Sequence, residues 1–293
     1  MKQEQLGVNW GKWGEDDERG AANRVTPLAT KRGIAASISG EVLSLAVPLS
    51  SSGPAFGMRS KPQHYMTRDG GDYAAGHKEK GFGFADDVIM LPTHGTTHMD
   101  ALSHIWAGGR MWNGYSSNTV TSKGAKKCGI DKMGPIVTRG LFLDFAGPDG
   151  VSQSDDHSIS LDELKAEFAR RELHAEEGDA LLIRTGWLKR WREGEATVQK
   201  WAGLNPECAQ WIDEQGFALI GADNIAVEFG PSPLKCNAAP MHVELMRNRG
   251  VVFMELLDFE QLATTGRSEF MFVVSPLPIV GGVGSPINPV VVL

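Results

Sequence analysis

Seven short apolar runs rich in β-branched residues, at 41–49, 88–91, 141–145, 180–184, 217–220, 251–256 and 270–274, constrain the fold of this chain more than any other feature. Each is too short for a packed helix and is bounded by turn-forming residues, so each is read as a strand. Three amphipathic stretches between them are read as helices. The first, 161–173, opens on Ser160 and Glu163 with the spacing of a capping box. The second, 205–215, has Pro206 in its first turn, and the third, 241–249, stops at Gly250. Strands outnumber helices and their spacing is irregular, which predicts a mixed α/β (α+β) fold rather than a regular βαβ series.

The 293 residues suffice for a large core and contain no linker-like stretch, so a single domain over 1–293 is expected, with an N-terminal extension to about residue 40. A glycine-rich stretch at about 51–85, carrying Tyr65, Tyr73, Phe82 and Phe84, is expected to be a long loop serving as a lid, because such loops in compact domains are more often functional than idle. The 29 basic residues against 36 acidic ones leave a net charge of −7 and form no cluster, which argues against a nucleic-acid partner. The opening MKQEQLGVNWGKW has no apolar signal core and no run of about eighteen apolar residues occurs, so the chain is read as cytoplasmic and without a membrane partner. Cys128, Cys208 and Cys236 are odd in number and lack CxxC spacing, and are read as small buried hydrophobes.

Chemistry concentrates in one segment, Pro92-Thr-His-Gly-Thr-Thr-His-Met-Asp-Ala-Leu-Ser-His104, where His94, His98 and His104 fall within eleven residues of a chain that has eight histidines. Random placement would put roughly 0.3 there, so the excess is about tenfold. Pro92, Gly95 and the pair Thr96-Thr97 argue against a helix. A straight strand would hold the His94 and His98 side chains about 13 Å apart, too far for one ion. The expected solution is a strand leading into a turned loop, with Gly95 letting the backbone coil so that His94, His98 and Asp100 converge. Two imidazoles and a carboxylate suit Zn²⁺, Mn²⁺ or Fe²⁺ and leave positions open for water and substrate, the arrangement of a catalytic rather than a structural ion. His104 lies close enough for proton transfer, with a further ligand as the alternative. His64, His77, His157 and His174 stand alone. Met99, Trp106, Met111 and Trp112 are expected to line an apolar pocket for a planar ligand, with core packing as the alternative for the two tryptophans.

The run HGTTHMDALSH resembles the signature of the metal-dependent cyclase family, H-x-G-T-H-x-D-x-P-x-H, to which kynurenine formamidase and isatin hydrolase belong. All four polar anchors match in spacing, while Thr96 stands at a usual glycine and Leu102 at a usual proline. Trp13-Gly-Glu-Asp-Asp-Glu-Arg-Gly, Met111-Trp-Asn-Gly and Leu182-Ile-Arg-Thr-Gly-Trp187 are similar to a longer-chain branch of that family. The resemblance implies a central barrel-like β structure flanked by helices, of the swivelling β/β/α type, and a homo-oligomer, dimer or tetramer. It also implies His242 and Glu255 as further ligands of a second ion bridged by Asp100, with Glu244 a rival for the carboxylate and a one-metal arrangement the alternative. Zinc or manganese, one or two per chain, is the implied cofactor.

The expected reaction is hydrolysis of an amide, lactam or lactone of a small cyclic or aromatic substrate by metal-activated water, with His104 moving the proton. No Gly-x-Ser-x-Gly elbow is present to suggest a serine hydrolase. The alternatives are a metal-dependent lyase or dehydratase, and a protein that binds a metal and a small ligand without turnover.

Overall fold

A computed structural model of the chain describes residues 7–51, 53–54, 59–74, 82–147, 154–230 and 239–293. Eleven strands matter here: β1 (Val42–Ser44), β2 (Gln63–Arg68), β3 (Asp86–Met90), β4 (His98–Asp100), β5 (Ile136–Asp144), β6 (Ala180–Arg184), β7 (Leu219–Ala222), β8 (Val252–Glu255), β9 (Glu269–Val274), β10 (Gly284–Pro286) and β11 (Val290–Val292). Nine of them form one sheet in the order β1-β11-β9-β5-β6-β7-β8-β4-β10, curled into a half-barrel and flanked by helices. The expected mixed α/β, barrel-like architecture is the observed one.

Strands β5 to β8 run parallel, and every partner outside them is antiparallel. Parallel strands need both faces covered, and β6, β7 and β8 are buried at every position, which is why they read as unbroken apolar runs. One cover is the helix Pro27–Ala35, started by Thr26, whose hydroxyl accepts from Ala29 N at 3.3 Å. Its Gly33 lies so close to β5 that a Cβ there would sit 2.3 Å from the Thr138 carbonyl carbon. The capping box of Ser160 and Glu163 is present and opens Leu161–Arg170. The late helix runs from 240 to 249 and ends at Gly250, at φ +76°, but its middle, His242–Arg247, is wound as a π-helix.

All seven apolar runs fall on strands. The loop expected over 51–85 is corrected in its described parts, because Gln63–Arg68 pairs with Asp86–Met90 as a hairpin and Gly70–Ala74 is helical. Every residue of the two hairpin strands is exposed, so the period-2 burial that reveals a strand in a sequence is missing from β2. Residues 75–81, the middle of the expected lid and the position of His77, lie outside the described residues, as does Cys236. Cys128 and Cys208 are buried free thiols, whose pKa values burial pushes up, Cys208 to about 12. No helix among the described residues is long and apolar enough to cross a membrane.

Candidate metal centre

The motif segment is built by a turn followed by a strand. Gly95 N donates to Pro92 O at 3.1 Å, and after the turn His98, Met99 and Asp100 enter the sheet as β4. Gly95 does not take a left-handed φ, so the coiling expected of it comes from the turn as a whole. In a strand, residues two apart share a face, which puts His98 and Asp100 on one side and buries Met99 in the core on the other. The register sets His98 opposite Glu255 of β8 and Asp100 opposite Gly284 of β10. Gly284 matters for what it lacks: a Cβ there would lie 2.4 Å from His94 Nε2.

Five sequence-singled residues converge, and all are buried: His94 is 7% exposed, His98 and Asp100 1%, His242 and Glu255 5%. Asp100 is at the centre. Its Oδ1 lies 3.2 Å from His94 Nε2 and 3.4 Å from His98 Nε2, while its Oδ2 lies 3.6 Å from His242 Nε2. Glu255 faces the same space, with Oε2 3.3 Å from His98 Nε2 and Oε1 3.2 Å from His242 Nε2. The half-buried His104 stacks on His94 with ring centroids 4.1 Å apart. Glu244 turns instead to Arg249, at 2.7 Å, with its side chain 41% exposed.

These separations distinguish co-ligands from ion pairs. A charge-assisted N–H···O bond closes to about 2.7–2.9 Å. Donors arranged tetrahedrally about an ion at roughly 2.1 Å stand about 3.4 Å from one another. The spacings here are of the second kind, and His94 Nε2 and both Asp100 oxygens are buried without a hydrogen-bond partner. Two donor groups can be drawn through the shared aspartate: His94, Asp100 and His104, and His98, Asp100 and Glu255. His104 thus has the proximity needed for ligation as well as for proton transfer. A buried set of imidazoles and carboxylates with unsatisfied atoms turned inward fits a divalent cation.

The electrostatics agree. Burial opposes the charge on His98, yet Asp100 and Glu255 raise its pKa from 6.5 to about 10. Burial likewise opposes the charge on His242, which Asp100, Glu228 and Glu255 push well above its ordinary value. Asp100 is held well below the usual carboxylate range against burial by the imidazoles of His104, His242, His94 and His98. Protons on the histidines therefore occupy the electrostatic role that a cation would take over. His104 goes the other way: burial lowers it to about 4, outweighing Asp100.

The nitrogens that face the cluster are also presented as ligation would require. His98 Nδ1 lies 2.7 Å from Thr96 O, and a carbonyl can only accept, so Nδ1 keeps its proton and Nε2 is the nitrogen that would exchange its proton for a cation. His242 Nδ1 meets Glu228 in the same way at 2.5 Å. Glu228 was missed at the level of sequence. Its signal was an acid inside the apolar run Ile225-Ala-Val-Glu-Phe229, which a soluble surface would not require. Of the expected pocket wall, Met99, Met111 and Trp112 are core residues instead, Trp112 donating to Asp17 Oδ2 at 3.0 Å, and Trp106 is exposed.

The family model described as "Putative cyclase" matches residues 43–229. Among solved structures, the chain is similar to one described as a novel cyclase, at 36% identity and a TM-score of 0.91 over 98% of each chain. It is also similar to isatin hydrolase A from Ralstonia solanacearum, at 22% identity and a TM-score of 0.66, over 86% of this chain and 91% of that one. An isatin hydrolase bound to the product analogue thioisatinate aligns at 17% identity and a TM-score of 0.64, over 86% and 92%. At these two lower identities the likeness is one of fold. No curated protein matches the chain.

Proposed function

The chain belongs to the cyclase family, and from that premise we propose that it is a metal-dependent hydrolase opening an amide, lactam or lactone bond in a small cyclic or aromatic substrate. The observation that carries this reading is the buried cluster around Asp100, whose atoms are spaced as co-ligands, with His94 Nε2 and both Asp100 oxygens left without hydrogen-bond partners. His94, His98, Asp100, His242 and Glu255 would between them hold one or two divalent cations, zinc or manganese, with Asp100 shared if two bind. A cation there would polarise a carbonyl and bring the pKa of water toward about 7.

The chain's own groups do the rest. Asp100 directs one oxygen to the His94 and His98 side and the other to His242, so it can tie two positions together. His104, with its pKa near 4, is neutral at pH 7, as it must be to accept a proton, and it lies at the more open edge of the cluster. The burial of His98, Asp100 and Glu255 keeps bulk water from the carboxylates and strengthens their fields.

The test is incubation of the metal-loaded protein with N-formyl aromatic amines, cyclic imides and lactones, read by mass spectrometry. Gain of one water by an imide or lactone, or release of formate and the free amine from an N-formyl amine, is the expected result. Loss of water would identify a dehydratase, and no change across the panel with stoichiometric metal bound would leave a binding protein.

A further inference from the structure

Glu228 is 2% exposed and stands behind His242 rather than among the facing donors. Its carboxylate accepts from Met241 N at 2.9 Å, from His242 N at 3.3 Å and from His242 Nδ1 at 2.5 Å. The ring is thereby fixed with Nδ1 turned to Glu228 and Nε2, the nitrogen that a cation would take, facing Asp100 and Glu255.

The turn that carries Glu228 is held against its own preference. Val227 precedes it at φ 61°, a left-handed conformation that is an outlier for a β-branched residue. Asn224, fully buried, enforces it: Oδ1 accepts from Val227 N at 2.7 Å and Ala226 N at 3.2 Å, and Nδ2 donates to Ala202 O at 2.7 Å. The backbone carbonyl of the same asparagine accepts from Leu256 N at 3.0 Å. Leu256, at φ 58°, directly follows Glu255. Two strained residues, each adjoining a buried glutamate that touches His242, are thus braced from one side chain and its own backbone. Strain of this kind costs stability and persists where the surroundings over-determine it, which is characteristic of functional sites.

We propose that Glu228 is a positioning residue: from a turn locked by Asn224, it sets the tautomer and orientation of His242 as a cation ligand beside Asp100 and Glu255. The proposal rests on the reading of His242 as a ligand. A purely structural Glu228, present to satisfy the Met241 and His242 N–H groups, would act independently of the His242 ring.

The experiment is zinc affinity and stoichiometry by competition with a chromogenic chelator. It compares wild type, His242→Ala, Glu228→Ala, Glu228→Gln and the two Glu228 variants combined with His242→Ala. Loss of a partner that orients a ligating histidine weakens metal binding about 10- to 100-fold, and that loss is expected for Glu228→Ala at the equivalent His242→Ala affects. Glu228→Gln, which keeps the shape and one acceptor, is expected to lose less. In the His242→Ala background neither Glu228 variant should cost anything further. An equal loss in that background, or wild-type affinity in Glu228→Ala with His242→Ala defective, overturns the positioning role alone. Unchanged zinc binding in His242→Ala overturns the ligand reading and the proposal with it. Should Glu228→Ala fail to fold, the Glu228→Gln pair carries the same comparison.

Discussion

Replacing Gly284 by alanine would put a methyl group 2.4 Å from His94 Nε2, a distance that forces the imidazole to move. The backbone of β10 tolerates the change, since Gly284 takes no left-handed φ, so the effect falls on His94. Gly284→Ala is expected to fold with near-wild-type melting and to bind metal at least about tenfold more weakly, measured by chelator competition. Equal affinity would show that His94 is not held by this contact. His98 makes the stability of the metal-free protein depend on pH. Its folded pKa is raised from 6.5 to about 10, so in metal-free protein its contribution is complete below pH 6.5 and is lost as pH rises through about 10. Melting of chelator-treated protein should therefore fall over that window, while metal-loaded protein, whose ligand nitrogen has no proton to lose, lacks this component. Parallel curves would refute the assignment. His104→Ala separates its two roles: a proton carrier costs roughly 10²- to 10⁴-fold in rate with metal content intact, whereas a ligand takes the metal with it. His94, His98, Asp100 and His104 were legible in the sequence because they lie within eleven residues, whereas Glu228 shows there only as an acid inside an apolar run and Gly284 matters through a contact that only the folded chain makes.

The strand β4 is only three residues long, yet its alternation does what the turn alone could not, delivering His98 and Asp100 to one face. Periodicity over three residues carries no statistical weight, which is why the segment reads as a loop in the sequence. The same holds for β10 and β11, both three residues long, whereas the buried parallel strands announce themselves by composition. The Pro27–Ala35 helix was also invisible, because its buried face consists of Ala29 and Gly33 rather than large apolar residues. That small face is what lets it lie on β5. Gly33→Ala would drive a Cβ into backbone at Thr138, where nothing flexible can yield, and should cost about 1–3 kcal/mol in urea unfolding with the metal site unchanged. No loss of stability would mean that the helix can ride further from the sheet than its packing indicates.

Across the whole molecule, the centre joins strands that are remote along the chain. His98 pairs with Glu255, and Asp100 with Gly284, so the motif strand meets its neighbours only after more than half the chain's length has intervened. Family and fold could be anticipated from local patterns, but this wiring could not, because no local signal specifies which strand closes against β4. Long-range pairing is slow, since loop-closure entropy is spent before contacts repay it. In refolding from urea, metal capture is expected to keep pace with recovery of the sheet and to show a rate independent of metal concentration; uptake running ahead of the circular dichroism signal would disprove this. For a ribosome making this chain, the histidines of the motif emerge early, but their partners arrive almost last. A stalled or truncated translation product ending before Gly284 would carry the histidine motif and yet, on the proposed reading, be a poor scavenger of the cell's metal.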